Sequence, residues 1–425
     1  MREGRVLVVG TTADYVEIIS ERFPGRTLFI TDPSERASWP GASPDASDEV
    51  TCLLDDAGVV LDATMAHVAR HGITIAGVTA YDCESLRLAA GLARALGLPF
   101  PTADAVARCR SKHASHQAWH AAGVPCPRTA VVSSEADAMR AFAAMAGPVV
   151  VKPLTGSGSE LVFLCRTEEE CLETHRLLET RLAAPRNRRM YAVAESADGR
   201  DPTVAYEMES FIDGIEYSCD CLIDGGDVTI IRLARKIPAP DQPLGTILAY
   251  VVPAELPDGM PMTRLRTRLA EAAQAVGLER AMAMVDFMVQ DADISLLELT
   301  PRPGGDCLPW LTRSSCGFDI LGAALDFAAG EPVAVPPMAA WRRLVGLRLF
   351  AARAGVVSAI DAEALLADPR VEACYLKHDP GHEVILPPLD YDSRILGHAI
   401  FEPSGKGDIE RQCLDIAAKL NVRFE

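Results

Sequence analysis

The chain has 425 residues, of which 49% are apolar and 24% are charged, as is ordinary for a globular protein with a sizeable core. At roughly 100–200 residues per domain, this length predicts two or three domains. The formal net charge of −18 argues against an electrostatic grip on nucleic acid or on an anionic membrane, and we expect neither as a partner.

The location of the protein is predicted from membrane and signal-peptide patterns and from the cysteines. No apolar stretch approaches the roughly 20 residues that cross a bilayer, and the first ten residues lack the apolar region of a signal peptide. The twelve cysteines are scattered, without a Cys-x-x-Cys pair or a His/Cys spacing suited to zinc. The predicted location is therefore the reducing cytoplasm.

The first hundred residues alternate apolar runs with helical patterns. Strands are predicted at Arg5–Gly10, Thr27–Thr31 and Ile73–Val78, and helices at Thr12–Phe23 and Cys83–Leu96. This alternation is typical of a Rossmann-like α/β sheet. The first strand-to-helix turn lacks G-x-G-x-x-G, so no dinucleotide site is expected and the domain is interpreted as a scaffold.

Two proline-containing stretches, Leu98–Thr102 and Pro332–Pro337, mark the predicted boundaries. Between them we predict helices Lys112–Ala122 and Leu265–Val276, and strands Val149–Lys152, Val162–Cys165, Ala205–Glu209, Tyr217–Ile223, Val228–Arg232, Ala283–Val289 and Ile294–Leu299. A final helix is predicted near Ile409–Leu420. The predicted domains are an α/β domain at 1–105, a catalytic domain at 106–335 and a small α/β cap at 336–425.

The strongest chemical signal is a pair of apolar strands that each carry a carboxylate, Asp286 and Glu298. On the second strand Glu298, Thr300 and Arg302 alternate and point to one face. If the strands pair, Asp286 comes alongside Glu298, and two converging carboxylates suit Mg²⁺ with nucleotide phosphates. Arg302 adds a fixed cation for a phosphate or carboxylate oxygen. A solvated ion pair is the alternative, which the alternating leucines disfavour.

A second signal is the apolar strand that ends at Lys152 and is followed by the sequence TGSGS. A lysine in this position reaches outward or meets an anion. Small residues such as Ser157 and Gly158 let backbone N–H groups approach phosphate oxygens. The loop is not a Walker A motif, because no Lys-Ser/Thr pair closes it. An ordinary hairpin turn is the alternative interpretation.

A third signal is the apolar pair Phe211 and Ile212 between the carboxylates Glu209 and Glu216. This segment is suited to line an adenine slot, with Glu216 on the ribose hydroxyls. The Asp-Gly pair that follows Ile212 is, by itself, a strong signal for a β-hairpin turn.

Several further residues admit two interpretations each. Asp306 and Arg313 are suited to hold a substrate amino group and a carboxylate, or are ordinary surface charges. His116 and His120 share a helix face, and without a third ligand a solvated face is expected rather than a zinc site. Trp310 is expected to be a packing residue.

Taken in chain order, these pieces resemble the ATP-grasp superfamily, and the resemblance runs from Lys112 to Asp306. The fold that it implies is α/β (α+β), an ATP-grasp fold with an N-terminal Rossmann-like pre-ATP-grasp domain and a small C-terminal α/β cap. The Pro-Gly-Gly sequence after Arg302 and the small cap are most similar to amino-acid ligases that make dipeptides. Biotin carboxylase-like enzymes share the layout.

The resemblance also implies residue roles. The implied ATP contacts are Lys112, Lys152, Ser157, Gly158, Glu209, Phe211, Ile212 and Glu216. The implied ligands of Mg²⁺, or of Mn²⁺ as the alternative ion, are Asp286, Glu298 and Thr300. Because Thr300 replaces the usual Asn, the number of ions, one or two, stays open. Arg302 and Lys236 are the implied catalytic residues, with Arg232 and Arg235 as rivals to Lys236.

The implied activity is ATP-dependent carboxylate–amine ligation. A carboxylate, expected to be an amino acid, is activated as an acyl phosphate and coupled to an amine, with release of ADP and phosphate. The alternatives are another ligase or carboxylase of cofactor or nucleotide metabolism, and a catalytically silent ATP-binding regulator. The expected partners are small-molecule carboxylates and amines, and family members are often homodimers. The general base and both substrates are left open.

Overall fold

The amino-terminal part of the chain folds into a parallel sheet covered by helices. The computed structural model describes residues 4–37, 41, 43–185, 187–193, 197–240, 242–257, 259–291, 293–405 and 407–425, so the first three residues of the leading segment lie outside it. The elements are β1 (Arg5–Val9), α1 (Ala13–Arg22), β2 (Thr27–Thr31), α2 (Pro33–Ala37), β3 (Glu49–Thr51), α3 (Ala57–His71), β4 (Ile75–Thr79), α4 (Leu86–Leu96) and α5 (Ala103–Arg110). The strand order is β3-β2-β1-β4, and all pairs are parallel.

Strands β1 and β2 are almost entirely buried, as expected for parallel strands that are covered on both faces. The three strands and two helices predicted here are confirmed, with boundaries that differ by at most three residues. The turn after β1 is closed by its own chain. The N–H of Thr11 donates to Asp82 at 2.6 Å, and a Cβ on Gly10 (φ +68°) would lie 1.9 Å from the hydroxyl of Ser85. This packing fits the predicted scaffold role.

Residues 112–210 contain a four-stranded antiparallel sheet. Its elements are α6 (Lys112–Ala122), β5 (Thr129–Val132), α7 (Glu135–Met145), β6 (Val149–Pro153), β7 (Phe163–Cys165), α8 (Glu168–Leu182) and β8 (Tyr206–Ser210), in the strand order β5-β8-β6-β7. Helices α7 and α8 begin where the hydroxyls of Ser134 and Thr167 accept hydrogen bonds from backbone N–H groups of the first turn.

The rest of the chain is organised around an eight-stranded sheet. The elements are β9 (Ile215–Asp224), β10 (Asp227–Pro238), β11 (Ile247–Val252), α9 (Met262–Val276), β12 (Arg280–Gln290), β13 (Asp293–Thr300), α10 (Leu308–Cys316), α11 (Ile320–Ala328), a 3₁₀ turn (Met338–Ala340), β14 (Leu344–Phe350), β15 (Gly355–Asp361), α12 (Glu363–Leu366), β16 (Val371–Leu376), β17 (Glu383–Val384), β18 (Ile395–Phe401), α13 (Ile409–Ala417) and β19 (Asn421–Phe424). The strand order of the large sheet is β13-β12-β9-β10-β11-β14-β18-β16.

The large sheet includes strands from both sides of the second predicted boundary. Strands β14, β16 and β18 follow residue 336 and are joined through β11 to the strands that precede it. Helix α9 buries an apolar stripe that includes Leu265, Leu269 and Val276 in the same core. The three predicted domain ranges stay a prediction.

Two further findings concern the whole chain. Among the residues that the structure describes, no helix combines the length and apolar character needed to cross a bilayer. All twelve cysteines are free thiols. The predicted cytoplasmic location stays a prediction.

The carboxy-terminal part contains a stacked pair of histidines, His378 and His382. The ring centroids of His378 and His382 lie 3.6 Å apart, and Nε2 of His378 is buried without a partner among the described residues. Burial, followed by the neighbouring His382, lowers the pKa of His378 to about 4. Such a group stabilises the fold most above its unfolded pKa of about 6.5, and this contribution is lost as the pH falls toward 4.

We therefore expect acidification from pH 7 to pH 4 to lower the urea midpoint of unfolding less in a His378→Phe variant than in the parent protein. Circular dichroism at matched ionic strength measures the midpoint. His71→Phe, at an exposed histidine, is the control and should keep the parent's pH dependence. Identical pH dependence in the His378 variant and the parent would contradict the assignment.

Candidate active site

A cleft with a volume of about 200 Å³ is lined by β6 and β8 of the small sheet and by β9, β10, β12 and β13 of the large sheet. All three sequence motifs contribute to the cleft, although Lys152 of the second motif and Glu298 of the first are 146 positions apart. Of the predicted site residues, the cleft is lined by Lys112, Lys152, Ser157, Gly158, Glu209, Phe211, Ile212, Glu216, Lys236, Asp286 and Glu298.

The predicted pairing of the two acidic strands is confirmed. Strands β12 and β13 are antiparallel, and Asp286 is the direct cross-strand partner of Glu298. The register shifts immediately after Asp286, where the ladder is irregular. The two carboxylates are therefore neighbours on one face, as the alternation of side chains along a strand predicts.

Lys236 bridges two carboxylates of the cleft. Its Nζ lies 2.7 Å from Glu216 and 2.6 Å from Asp286. Burial acts to lower the pKa of Lys236, but these two acids raise it well above its ordinary value, so the ammonium stays charged. Of the two rivals, Arg232 is fully buried in an ion pair with Asp220 and Arg235 is exposed, and neither is among the residues that line this cleft.

Glu298 is held in its ionised form. Burial acts to raise its pKa, but Lys112, Lys152 and Arg302 together bring the pKa below its ordinary value. The Nζ of Lys112 lies 3.8 Å from the carboxylate. The hydroxyl of Thr300 donates to the same carboxylate at 3.5 Å, which is a long hydrogen bond. Thr300 thus shares the face of Glu298.

The acidic pair fits a divalent cation. Oδ1 of Asp286 is buried and has no hydrogen-bond partner within the described ranges, while Oδ2 is held by Lys236. A buried carboxylate oxygen without a partner is costly unless a ligand satisfies it. Together with the ionised Glu298 opposite, it offers the oxygen ligands that Mg²⁺ prefers.

The sequence predicted that Lys152 either reaches outward or meets an anion, and in the structure it meets the carboxylate of Glu209. Its ammonium forms an ion pair with Glu209, and both side chains are more than nine-tenths buried. Burial acts to lower the pKa of Lys152, but Glu209 and Glu207 raise it. The charged lysine therefore lies on the wall of the cleft with a fixed counter-ion.

Behind this pair lies a carboxylate that the sequence analysis missed. Glu207 is fully buried, 3.1 Å from Nδ1 of His116. Burial acts to raise its pKa, but His116, His113 and Lys152 bring it well below the ordinary value. The expectation of a solvated His116 is wrong, because α6 packs this face against β8, whereas His120 is exposed. The alternation of side chains along a strand could have identified Glu207, because Glu207 and Glu209 are two positions apart and lie on the same face.

The glycine-rich segment is both a hairpin loop and a wall of the cleft. It joins β6 to β7, which are antiparallel, so the hairpin interpretation also holds. Gly158 has φ +67° with open space around its Cβ position, so it is required for its backbone conformation rather than for room. The hydroxyl of Ser159 donates to the carbonyl of Gly245 at 2.9 Å, and Nζ of Lys112 donates to the carbonyl of Gly156 at 3.3 Å.

The hairpin predicted after Ile212 is not formed. Strands β8 and β9 belong to different sheets, so residues 211–214 connect the two. A Cβ on Gly214 would lie 2.6 Å from the carbonyl oxygen of Val289, so this glycine allows a close approach of two backbones. The apolar pair Phe211 and Ile212 lies in this connection and lines the cleft.

Arg302 lies in a turn that is fixed from both sides. Its Nε donates to the thiol of Cys83 at 3.0 Å, and its Nη1 donates to the carbonyl of Pro303 at 2.8 Å. Two residues on, the N–H of Gly304 donates to Asp220 at 2.7 Å. Asp220 is in turn paired with Arg232 at 2.7 Å, and both side chains are fully buried. A buried ion pair therefore supports the turn that carries Arg302.

The two predicted substrate residues are not brought together. Asp306 has φ +58° and pairs with Arg348, whereas Arg313 is exposed on α10. Arg348 was missed because it follows Asp306 by 42 positions. The sequence does mark Arg348, because it is a cation within the apolar strand LVGLRLF, just as Lys152 is a cation at the end of an apolar strand.

Comparisons with known proteins agree with this geometry. Residues 145–309 match the family model described as the ATP-grasp domain. The uncharacterized protein y4rH of Sinorhizobium fredii is 28% identical over 330 residues, which cover 76% of this chain and 64% of that protein. The D-alanine–D-alanine ligase of Acidovorax ebreus is 26% identical over 225 residues, which cover 50% of this chain and 60% of that enzyme. The chain thus spans less than two thirds of either relative.

Solved structures give the fold. The crystal structure of L-amino acid ligase from Bacillus licheniformis matches with a TM-score of 0.77 at 18% identity, and the match covers 100% of both chains. At this identity the likeness concerns the fold alone. The predicted fold class, an α/β protein with an ATP-grasp domain, is confirmed.

Proposed function

We propose that this chain, which has an ATP-grasp fold, is an ATP-dependent carboxylate–amine ligase that releases ADP and phosphate. The observation that carries the proposal is the cleft in which Asp286 and Glu298 face each other beside Lys236 and Lys112. The two carboxylates are suited to hold Mg²⁺, and the two lysines are suited to neutralise the polyphosphate of ATP.

The proposed nucleotide contacts are residues that line the cleft. Phe211 and Ile212 supply the apolar surface for adenine, and Glu216 takes the ribose hydroxyls. Lys152 and Lys112 neutralise the phosphate oxygens, and the N–H groups of the loop containing Ser157 and Gly158 bind them. Glu209 keeps the ammonium of Lys152 in place before the nucleotide arrives.

The proposed reaction has two steps. In the first, an oxygen of the acid's carboxylate bonds to the γ-phosphorus while the bond to the β–γ bridging oxygen breaks, and ADP leaves. Mg²⁺, when held by Asp286 and Glu298, supplies charge neutralisation at the phosphate oxygens. Lys236, which pairs with Asp286, adds a second positive charge beside these phosphate oxygens.

In the second step the amine nitrogen attacks the carbonyl carbon of the acyl phosphate. A C–N bond forms, the C–O bond to phosphate breaks, and the amine's proton passes to solvent or to a base. Arg302 is proposed to stabilise the negative charge on the carbonyl oxygen. The loop at 155–159 is proposed to cover the cleft and exclude water, which would hydrolyse the acyl phosphate.

The test is the release of ADP and phosphate from MgATP across a panel of carboxylates and amines, offered singly and in pairs. We expect release that requires one carboxylate and one amine, with the amide product detected by mass spectrometry. Release with bicarbonate as the acid would instead support a carboxylase. Tight ATP binding without release for any pair would support a silent regulator.

A Lys152→Met substitution is expected to raise the KM for ATP by about tenfold or more, because a charge-assisted contact to phosphate is lost. The substitution also leaves Glu209 buried without its counter-ion, which destabilises the fold. The double variant Lys152→Met/Glu209→Gln should recover the thermal midpoint but not the KM. Lys377→Met, at a largely exposed ion pair with Asp392, is the control. An unchanged KM in the single variant would exclude this phosphate contact.

A further inference from the structure

A wall of aromatic side chains stands beside Arg302 and is not used by the reaction proposed above. We define the aromatic wall as Tyr15, Trp310, Tyr375 and His398. The ring of Trp310 lies 6.0 Å edge-on from Tyr15, 6.0 Å from Tyr375 in a stacked arrangement, and 5.3 Å from His398. The four residues come from α1, α10, β16 and β18, so the tertiary fold assembles the wall.

Charged groups with unused hydrogen-bonding capacity adjoin the wall. Asp306 accepts from Nε of Arg348 through Oδ2, and Nη2 of Arg348 donates to the hydroxyl of Tyr250 at 3.2 Å. Within the part of the chain that the structure describes, no partner is seen for Oδ1 of Asp306, Nη1 of Arg348 or Nη2 of Arg302. One carboxylate oxygen and two guanidinium nitrogens of these partly exposed side chains can therefore form hydrogen bonds with a ligand.

Packing alone does not account for these features. Trp310 and Tyr375 are partly exposed rather than enclosed in the core. The hydroxyl of Tyr15 is buried and has no partner among the described residues, a state that costs free energy unless a ligand satisfies it. Asp306 adopts a left-handed backbone conformation, which non-glycine residues seldom adopt outside turns and functional sites.

The turn that carries Arg302 lies next to Tyr15 of the aromatic wall. Burial raises the pKa of the Tyr15 phenol, Arg302 lowers it, and Asp306 raises it, so both charges lie near this ring. A Cβ on Gly305 would lie 3.8 Å from the Tyr15 hydroxyl. The residues that follow Arg302 therefore pass close to the hydroxyl of Tyr15.

We infer that the aromatic wall is the side-chain site for the acid that is activated, and that this acid is a free α-amino acid with an aromatic side chain. The inference rests on the proposed function and adds the class of its first substrate. The ammonium of the substrate is held by Oδ1 of Asp306, its carboxylate lies toward Arg302, and its ring packs on Trp310 and Tyr15.

Other side chains fit less well, for reasons of charge and shape. A charged side chain would lose its hydration against the rings of Trp310 and Tyr15, which costs free energy unless the charge is paired. An acidic one would meet Asp14 and Glu17, which lie close enough to raise the pKa of Tyr375 beyond the effect of burial. A flat ring gains the offset or edge-on contacts that aromatic pairs favour, which an aliphatic side chain cannot make.

The experiment measures hydroxamate formation from MgATP and hydroxylamine, which traps the acyl phosphate without the natural amine. The acids are L-phenylalanine, L-alanine, L-lysine, L-glutamate and 3-phenylpropanoate, which is phenylalanine without its amino group. We expect kcat/KM for phenylalanine to exceed that for each other acid by about tenfold or more. Equal or better use of alanine, lysine or glutamate would overturn the inference.

Two substitutions separate the ammonium contact from the ring contact. Asp306→Asn should remove the preference for phenylalanine over 3-phenylpropanoate, whereas Asp293→Asn, at an exposed ion pair, should keep it. Trp310→Leu should lower kcat/KM for phenylalanine by about tenfold through KM, and Trp310→Phe should restore most of it. Thermal unfolding confirms that each variant is folded. If the preference for phenylalanine over the other acids persists in both Asp306→Asn and Trp310→Leu, the assignment is overturned.

The failure of this inference differs from the failure of the proposed function. If no acid in a broad panel yields hydroxamate or ADP, the ligase proposal itself fails. If hydroxamate forms readily but from acids without an α-amino group or without a ring, the ligase proposal stands and the aromatic wall is not the side-chain site.

Discussion

Replacing Glu298 with glutamine is expected to lower kcat/KM for ADP release by at least about a hundredfold. The carboxylate faces Asp286 across the strand pair and is kept ionised by the surrounding cations. Glutamine keeps the shape but removes the charge that a divalent cation requires, and metal-based charge stabilisation is worth several kcal/mol. At 1.36 kcal/mol per tenfold change in rate, such a loss corresponds to about 10²–10³. Coupled ADP detection measures it.

The Mg²⁺ dependence makes this prediction specific. The Mg²⁺ concentration at half-maximal rate should rise in Glu298→Gln, because one of the two proposed carboxylate ligands is lost. Glu271→Gln, at a half-exposed pair with Arg268, is the matched control and should leave the rate and Mg²⁺ dependence unchanged. A Glu298→Gln enzyme within about threefold of the parent would remove this residue from the proposed cation site.

Replacing Arg232 with methionine is expected to lower the free energy of unfolding by about 3–5 kcal/mol. Arg232 is fully buried and donates to Asp220 at 2.7 Å and to the carbonyl and hydroxyl of Ser218 at 3.1 Å. Its removal leaves the Asp220 carboxylate buried without a counter-ion, and this uncompensated charge is the main cost. Urea denaturation followed by circular dichroism measures the change.

A double variant and a surface control sharpen this test. In Arg232→Met/Asp220→Asn the buried charge is gone, and the amide oxygen still accepts from the N–H of Gly304, so we expect most of the stability to return. Arg264→Met breaks a largely exposed pair with Asp293 and should cost less than about 1 kcal/mol. If Arg232→Met costs no more than this control, the pair does not support the turn.

Local patterns predicted that Asp286 and Glu298 share one face, because the geometry of this strand pair is local. The alternation along β13 placed Glu298 and Thr300 on one face, and the short connection to β12 set Asp286 opposite Glu298. The strand that ends at Lys152 was recognisable for the same reason. These features need no knowledge of distant parts of the chain.

What the sequence did not reveal depends on contacts between distant segments. His116 is buried because α6 lies against β8, about 90 positions further on, and no helical pattern encodes that partner. Arg348 meets Asp306 only because β14 joins the large sheet beside β11. The hairpin signal after Ile212 was overridden for a similar reason, since β8 and β9 pair with different neighbours.

The continuity of the eight-stranded sheet has a consequence for how specificity could evolve. The acidic pair lies on β12 and β13 at one end, while Arg348, Tyr375 and His398 lie on β14, β16 and β18 at the other. Ladder hydrogen bonds join the two ends in one frame. Under the proposed function, the groups for phosphate transfer and those for the acid's side chain therefore lie on different strands of one sheet. A substitution in the aromatic wall would then change the preferred acid and leave the strands that carry the acidic pair unaltered.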